Sequence, residues 1–204
     1  MADRVVVALF RHGLTEANHR KAYLGWGDSP LRKVECEYIQ PSSHYDVYYC
    51  SDLQRCALTM KQLFPKAAPY FLPELREMNF GDWEGKTYQD LKEENLYCNW
   101  LTNPYKYAPP NGESFQQFSN RVAAGWKKLV FEILSEDLGS CAIMTHGGVI
   151  RLLLEDFAPR AKGFWQWQAT HDSAYELIFS TAALRRGERC TLLREVPLTE
   201  KGHG

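Results

Sequence analysis

Six apolar residues in a row, Val5 to Phe10, run directly into Arg11-His12-Gly13. An unbroken apolar run of this kind reads as a strand buried on both faces, and such strands belong to sheets covered by helices on each side. On α/β sheets, ligands bind just beyond the carboxyl ends of the strands. A guanidinium, an imidazole and a glycine emerge at that point here. Arg presents a planar fork for phosphate or carboxylate, His can act as nucleophile or base near neutral pH, and Gly lets a ligand approach the main chain.

Three further blocks repeat the pattern. Cys141-Ala142-Ile143-Met144 is a second buried apolar segment, followed by Thr145-His146-Gly147-Gly148 and the helix-like Val149-Ile150-Arg151-Leu152-Leu153-Leu154. Strand, glycine turn and helix in that order expose the free N–H groups of a helix start to an anion. Asp46-Val47-Tyr48-Tyr49-Cys50 reads as another strand, with Ser51 as a helix cap and Arg55 in the first turn or so. The fourth block, Leu75-Arg76-Glu77-Met78-Asn79-Phe80-Gly81-Asp82-Trp83-Glu84-Gly85, is an aromatic loop with carboxylates inside it.

Each block also has an ordinary reading. A His before Gly is often a turn residue, Arg55 fits a solvated helix face, and Glu77 fits a surface pair with Arg76. The four blocks in this order nevertheless resemble the histidine phosphatase superfamily, the phosphoglycerate mutase-like proteins. The resemblance spans Leu9 to about Leu154. Arg11-His12-Gly13-Leu14-Thr15-Glu16-Ala17-Asn18 resembles the family's opening motif, and Gly25-Trp26-Gly27-Asp28-Ser29-Pro30-Leu31 the loop after it. The branch it most resembles is that of small bacterial phosphatases, the broad-specificity and α-ribazole-phosphate enzymes.

The resemblance implies a three-layer α/β/α sandwich with a mostly parallel central sheet, residues 1–204 forming one domain, and a phosphatase acting on a small phosphorylated metabolite. It implies catalytic roles for His12, Glu77, Arg11, Arg55 and His146. His12 is the nucleophile that becomes a phosphohistidine, and Glu77 is the proton donor, favoured over its neighbours Asp82 and Glu84. Phosphate contacts fall to Arg11, Thr15, Asn18, Gly25, Arg55, His146 and Gly147, with His146 as a third positive donor. Neither a cofactor nor a metal is implied. In mutases of the family a lysine follows the acid loop, where this chain has Tyr88, and an arginine pair precedes a proline-rich stretch, where it reads Asn103-Pro104-Tyr105-Lys106-Tyr107-Ala108-Pro109-Pro110. Fewer cations favour hydrolysis over mutase-type transfer or silent ligand binding. Trp26, Phe80, Trp83, Tyr88 and Trp100 are candidates for an aromatic leaving-group wall or for ordinary core. One departure is the short, Pro41-containing stretch from Arg32 to His44, where the family places a full helix.

Composition is consistent with such an enzyme. Lys and Arg number 24 against 25 Asp and Glu, a formal net charge of −1, which gives no support for a nucleic-acid or membrane partner. The amino-terminal residues carry no leader pattern and no stretch has the length of a membrane span, so a cytoplasmic setting is expected. The six cysteines, at 36, 50, 56, 98, 141 and 190, have no metal spacing and read as reduced thiols. Periodicity predicts strands at about 4–10, 46–50, 140–145, 174–180 and, weakly, 189–195. It predicts helices at about 53–64, 86–95, 114–136 and 148–156, with Leu96 to Asn111 irregular over the site mouth. Ser114-Phe115-Gln116-Gln117 reads as a capping box opening the best helix, and Phe118 and Trp126 lie on its buried stripe.

Overall fold

A strand with an unbroken apolar interior must be covered on both faces, and Val5–Phe10 of β1 (Arg4–Arg11) are so covered. Val5, Val7 and Leu9 join one core cluster, and Ala8 and Phe10 another, as the two-residue period of a strand requires. The structure, a computed structural model, describes residues 3–33 and 44–198. Besides β1 it contains β2 (Val47–Cys50), β3 (Tyr70–Phe71), β4 (Ser140–Thr145), β5 (Ser173–Ser180) and β6 (Leu192–Pro197). They form one sheet in the order β3-β2-β4-β1-β5-β6. β3, β2, β4 and β1 run parallel, while β5 is antiparallel to β1 and to β6.

Helices cover both faces. On one side lie α5 (Phe115–Ser135), α6 (Gly147–Phe157) and α7 (Thr181–Arg186), whose apolar residues pack with Val5, Val7, Leu9 and Ile143. On the other lies α2 (Gln54–Leu63), burying Cys56, Met60 and Leu63 against Phe10 and Met144. The expected three-layer sandwich and mostly parallel sheet are therefore present. Register sets up the site: Arg11 pairs with Thr145, so residues 12 and 146 leave adjacent parallel strands side by side.

Some local expectations need correction. The helix predicted over 86–95 is two short ones, α3 (Tyr88–Leu91) and α4 (Asn95–Thr102). Thr87 and Asp90 close a capping box on α3, and Glu94 turns out of the helix to meet the Trp83 indole N–H and the Lys86 ammonium. Because α4 runs to Thr102, the segment predicted irregular from Leu96 begins as helix. Tyr97 and Trp100, three apart on its inner face, bury with Trp83 and Leu91. Trp83 and Trp100 are thus core, not a leaving-group wall, and Tyr88 is exposed with its ring against Tyr97. The short α1 (Glu16–His19), α7 and β3 are additional elements. The residue capping α2 is Leu53, not Ser51. The helix question at 32–44 and Cys36 lie essentially outside the described residues. Cys50, Cys56, Cys141 and Cys190 are buried free thiols and Cys98 is exposed. No helix among the described residues is long and apolar enough to cross a membrane.

Candidate active site

The site is built at the carboxyl ends of β1, β2 and β4, from residues that the sheet delivers to one edge. His12 follows β1, is buried, and donates its backbone N–H to the Thr145 carbonyl at 3.0 Å. Its Nδ1 lies 2.8 Å from the Gly13 carbonyl. Since a carbonyl only accepts, Nδ1 carries the proton and Nε2 is left with its lone pair. Gly13 is itself fixed, its N–H donating to Thr59 Oγ1, which in turn donates to the Arg55 carbonyl. His146, fully buried, is the N-cap of α6, and its ring centre is 5.1 Å from that of His12.

Two guanidiniums flank the imidazoles. Arg11 donates through Nη1 to the Ala169 carbonyl and packs against Gly147, where a Cβ would stand 3.3 Å from the guanidinium carbon. Arg55, 1 % exposed, is gripped by loop carbonyls, Nη1 to Gly27 at 2.8 Å and Nη2 to Gly25 at 2.6 Å. Its nearest carboxylate partner is the half-exposed Asp28 at 3.7 Å. The Nε–H groups of Arg11 and Arg55 are both buried without an acceptor among the described residues. A buried donor left unpaired costs about 1–3 kcal/mol. Two of them, on cationic groups, form a ready cradle for an anion.

Electrostatics set the protonation states. Burial, then Arg55, Arg11 and His171, holds His12 well below its ordinary value. Burial, then Arg55 and His12, does the same to His146. The imidazolium of His146 is thus disfavoured, which weighs against its expected role as a positive donor. Burial lowers Arg11 to about 10, which still leaves it charged.

The acid loop crosses in front. Glu77 accepts the Met78 N–H on Oε1 at 3.0 Å and the Gly148 N–H on Oε2 at 2.9 Å. Gly148 leaves the carboxylate this place, because a Cβ would stand 2.2 Å from Oε1 and Glu77 would have to shift. The two glycines after His146 therefore admit Arg11 and Glu77 to the start of α6. Glu84 takes the N–H groups of Gly25, Trp26 and Phe80, so it ties two loops together. Asp82 accepts from the Asn111 side-chain amide at the surface.

Two phosphate-contact expectations change. The Gly25 N–H is committed to Glu84, and its carbonyl holds Arg55, so Gly25 shapes the cradle from behind. Thr15 is fully buried and closes a capping box with Asn18, its hydroxyl donating to Asn18 Oδ1. Only the Asn18 amide NH₂ remains as a donor from that pair.

Other contributors have no motif that marks them. Ser51 Oγ lies 2.9 Å from His146 Nε2, and Cys56 Sγ is 3.4 Å from the same nitrogen. Arg121 of α5 binds Glu113 with both branches of its fork and donates to the carbonyls of Glu74, Arg76 and Glu77, so one side chain holds the acid loop. Trp26, half-exposed, donates its indole N–H to the Glu77 carbonyl, with Arg76 over its ring. His171 donates from Nδ1 to the His12 carbonyl at 2.7 Å, and burial followed by Arg11 lowers it to about 4. Among the described residues no group of three or more His, Cys, Asp or Glu side chains is arranged to hold a metal ion.

The order of the elements and the residues at this edge match a known family model, that of the histidine phosphatase superfamily (branch 1), over residues 7–186. The chain belongs to that family. It is 34% identical over 156 residues to the adenosylcobalamin/alpha-ribazole phosphatase of Salmonella typhimurium, covering 72% of this chain and 76% of that protein. The Escherichia coli K12 protein of the same name is 32% identical over 191 residues, 87% and 92% of the two chains. The solved structure of the alpha-ribazole phosphatase from Shigella flexneri superposes with a TM-score of 0.77 at 24% identity, covering 98% of each chain, a likeness of fold. In this histidine phosphatase the residues of these blocks meet at the carboxyl ends of β1, β2 and β4.

Proposed function

We propose that this histidine phosphatase is a single-domain, metal-independent phosphomonoester hydrolase working through a phosphohistidine on His12. The observation that carries the reading is the His12 ring. Its imidazolium is disfavoured by burial and by Arg55 and Arg11, it is tied through Nδ1 to Gly13, and the buried Nε–H groups of both arginines lack acceptors among the described residues. Phosphoryl transfer needs little from a protein beyond positioning and positive charge around the transferring group. Arg11 and Arg55 supply that charge, assisted by the Gly147 N–H at the start of α6 and the Asn18 amide. His146 adds hydrogen bonding beside the nucleophile without adding charge.

In the first step the His12 Nε2 lone pair forms a bond to phosphorus as the ester P–O bond breaks. Protonated Glu77 passes its proton to the departing oxygen. In the second, the Glu77 carboxylate takes a proton from water, whose oxygen bonds phosphorus while the N–P bond breaks, releasing phosphate and restoring the imidazole. Adenosylcobalamin/alpha-ribazole phosphatases at 32–34% identity support a small phosphorylated metabolite as substrate. The free buried cysteines suit a cytoplasmic setting.

A panel of phosphomonoesters tests the reading. Wild-type protein is expected to release phosphate, and His12→Ala to abolish release. Glu77→Gln should slow alkyl esters about 10²-fold or more and aryl esters with good leaving groups far less. Phosphoglycerate interconversion dependent on a bisphosphate primer, without net hydrolysis, would instead establish a mutase.

A further inference from the structure

Beside the phosphate cradle lies a cavity of about 620 Å³ whose walls include Arg11, Arg151, Trp165, Trp167, His171 and Asp172. It contains positive charge that hydrolysis of a simple ester does not use. Arg151 stands four residues after Gly147 on α6, so the helix that opens beside Arg11 brings a second guanidinium to the same side. The side chain is held by a 3.1 Å hydrogen bond from Nε to the Trp167 carbonyl and by the Phe164 ring, 5.9 Å from its guanidinium carbon. Its terminal nitrogens make no hydrogen bond among the described residues. Among the described residues neither Arg11 nor Arg151 has a carboxylate within ion-pair distance. The cavity's own carboxylate, Asp172, is not within ion-pair distance of either arginine.

Two more observations point the same way. The Lys162 ammonium stands 4.7 Å from the ring of Trp167, itself a wall residue, on a chain of net charge −1. The Trp167 indole N–H, in the same wall, is buried and has no acceptor among the described residues. Like charges sharing one cavity repel, and an anion between them removes the repulsion. Arg11 faces the ester phosphate, which leaves Arg151 for a different group.

Resting on the hydrolase reading above, we propose that Arg151 clamps a second anionic group, carboxylate or phosphate, carried on the leaving-group side of the substrate. Trp165 and Trp167 flank the frame that joins it to the ester. Arg151 is then a specificity determinant, and esters lacking the second anion are the poorer substrates.

The test compares kcat/KM for phenyl phosphate, 3-carboxyphenyl phosphate and 1,3-phenylene bisphosphate, in wild type, Arg151→Met, Arg151→Gln and Arg151→Lys. Wild type should prefer at least one of the two anion-bearing esters, and which one tells carboxylate from phosphate. Arg151→Met or Arg151→Gln should lower that preference ratio about tenfold or more, mainly through KM, with Arg151→Lys in between. A wild type without preference, or a ratio that both neutral variants leave unchanged, overturns the proposal. Calorimetric binding of the same esters to His12→Ala, with and without Arg151→Gln, separates the two readings. An Arg151-dependent binding preference without wild-type turnover sinks the hydrolase reading and keeps the clamp, whereas turnover without preference sinks the clamp alone.

Discussion

A histidine that attacks phosphorus must offer a lone pair at neutral pH, and His12 has two independent reasons to do so. Burial beside Arg55 and Arg11 disfavours the imidazolium, and the Gly13 carbonyl fixes which nitrogen keeps its proton. Glu77, the proposed acid, lies against a helix start where Gly148 leaves it room. Gly148→Ala would put a Cβ 2.2 Å from Glu77 Oε1 and remove the carboxylate from the Gly148 N–H. Turnover of alkyl phosphates should then fall about 10–10²-fold, with aryl phosphates much less affected. Steady-state rates on the two ester classes check this, and equal losses would argue that Gly148 serves packing alone. The placing of Arg11, His12, Arg55 and His146 at one sheet edge was legible in the sequence because each ends or follows a strand or opens a helix, whereas Glu77 was separated from Asp82 and Glu84 only by the family resemblance. Ser51, Arg121 and His171 were not legible, since their roles exist only across tertiary contacts. His171 reaches the His12 carbonyl from 159 positions away. Gly25 was legible as important but not in what it does, because nothing local says that Glu84 has taken its N–H.

At the scale of elements, the long α5 does two jobs. Its inner stripe of Phe118, Val122, Trp126, Leu129 and Ile133 buries against the sheet. Its Arg121 holds three carbonyls of the acid loop together with Glu113. Arg121→Leu leaves those carbonyls and a partly buried carboxylate unmatched, and should destabilise the fold by about 3–5 kcal/mol. Urea unfolding measures this, and a loss below about 1 kcal/mol would mean that the loop holds itself. α5 was readable from its 3.6-residue period and its Ser114 cap, which the structure reproduces with the Gln117 reciprocal bond. The helix predicted at 86–95 failed because periodicity cannot see Glu94 leave the helix for the Trp83 indole. α7 carried its own signals, Ser180 as cap and Gly187 in the left-handed conformation after Arg185 and Arg186, but it is a short element between two strands.

For the whole molecule, the parallel register of β1 and β4 brings His12 and His146 together, and α/β patterning was enough to anticipate that edge. The strand order was not legible, because pairing partners lie far apart in sequence. Gathering His12, His146 and His171 as buried neutral groups has a consequence for stability. All three are held below the ordinary value of 6.5, so the unfolded chain binds more protons than the native one as pH falls. Stability is full above about pH 6.5 and is lost progressively as pH falls below it, with each histidine contributing to the loss. The His171 contribution to that loss ends near its folded value of about 4. Urea midpoints from pH 7.5 to 5 should fall, less steeply in His171→Asn, and a flat profile would mean that these rings are solvated.

The central claim is that phosphorus is bonded to His12 during turnover. Alkaline quenching of the enzyme during steady-state hydrolysis, followed by peptide mass mapping, reads this directly. The account predicts an acid-labile, alkali-stable phosphoryl group on the peptide holding His12, absent in His12→Ala. A phosphoryl group on His146 or His171, or undiminished hydrolysis by His12→Ala, would contradict it.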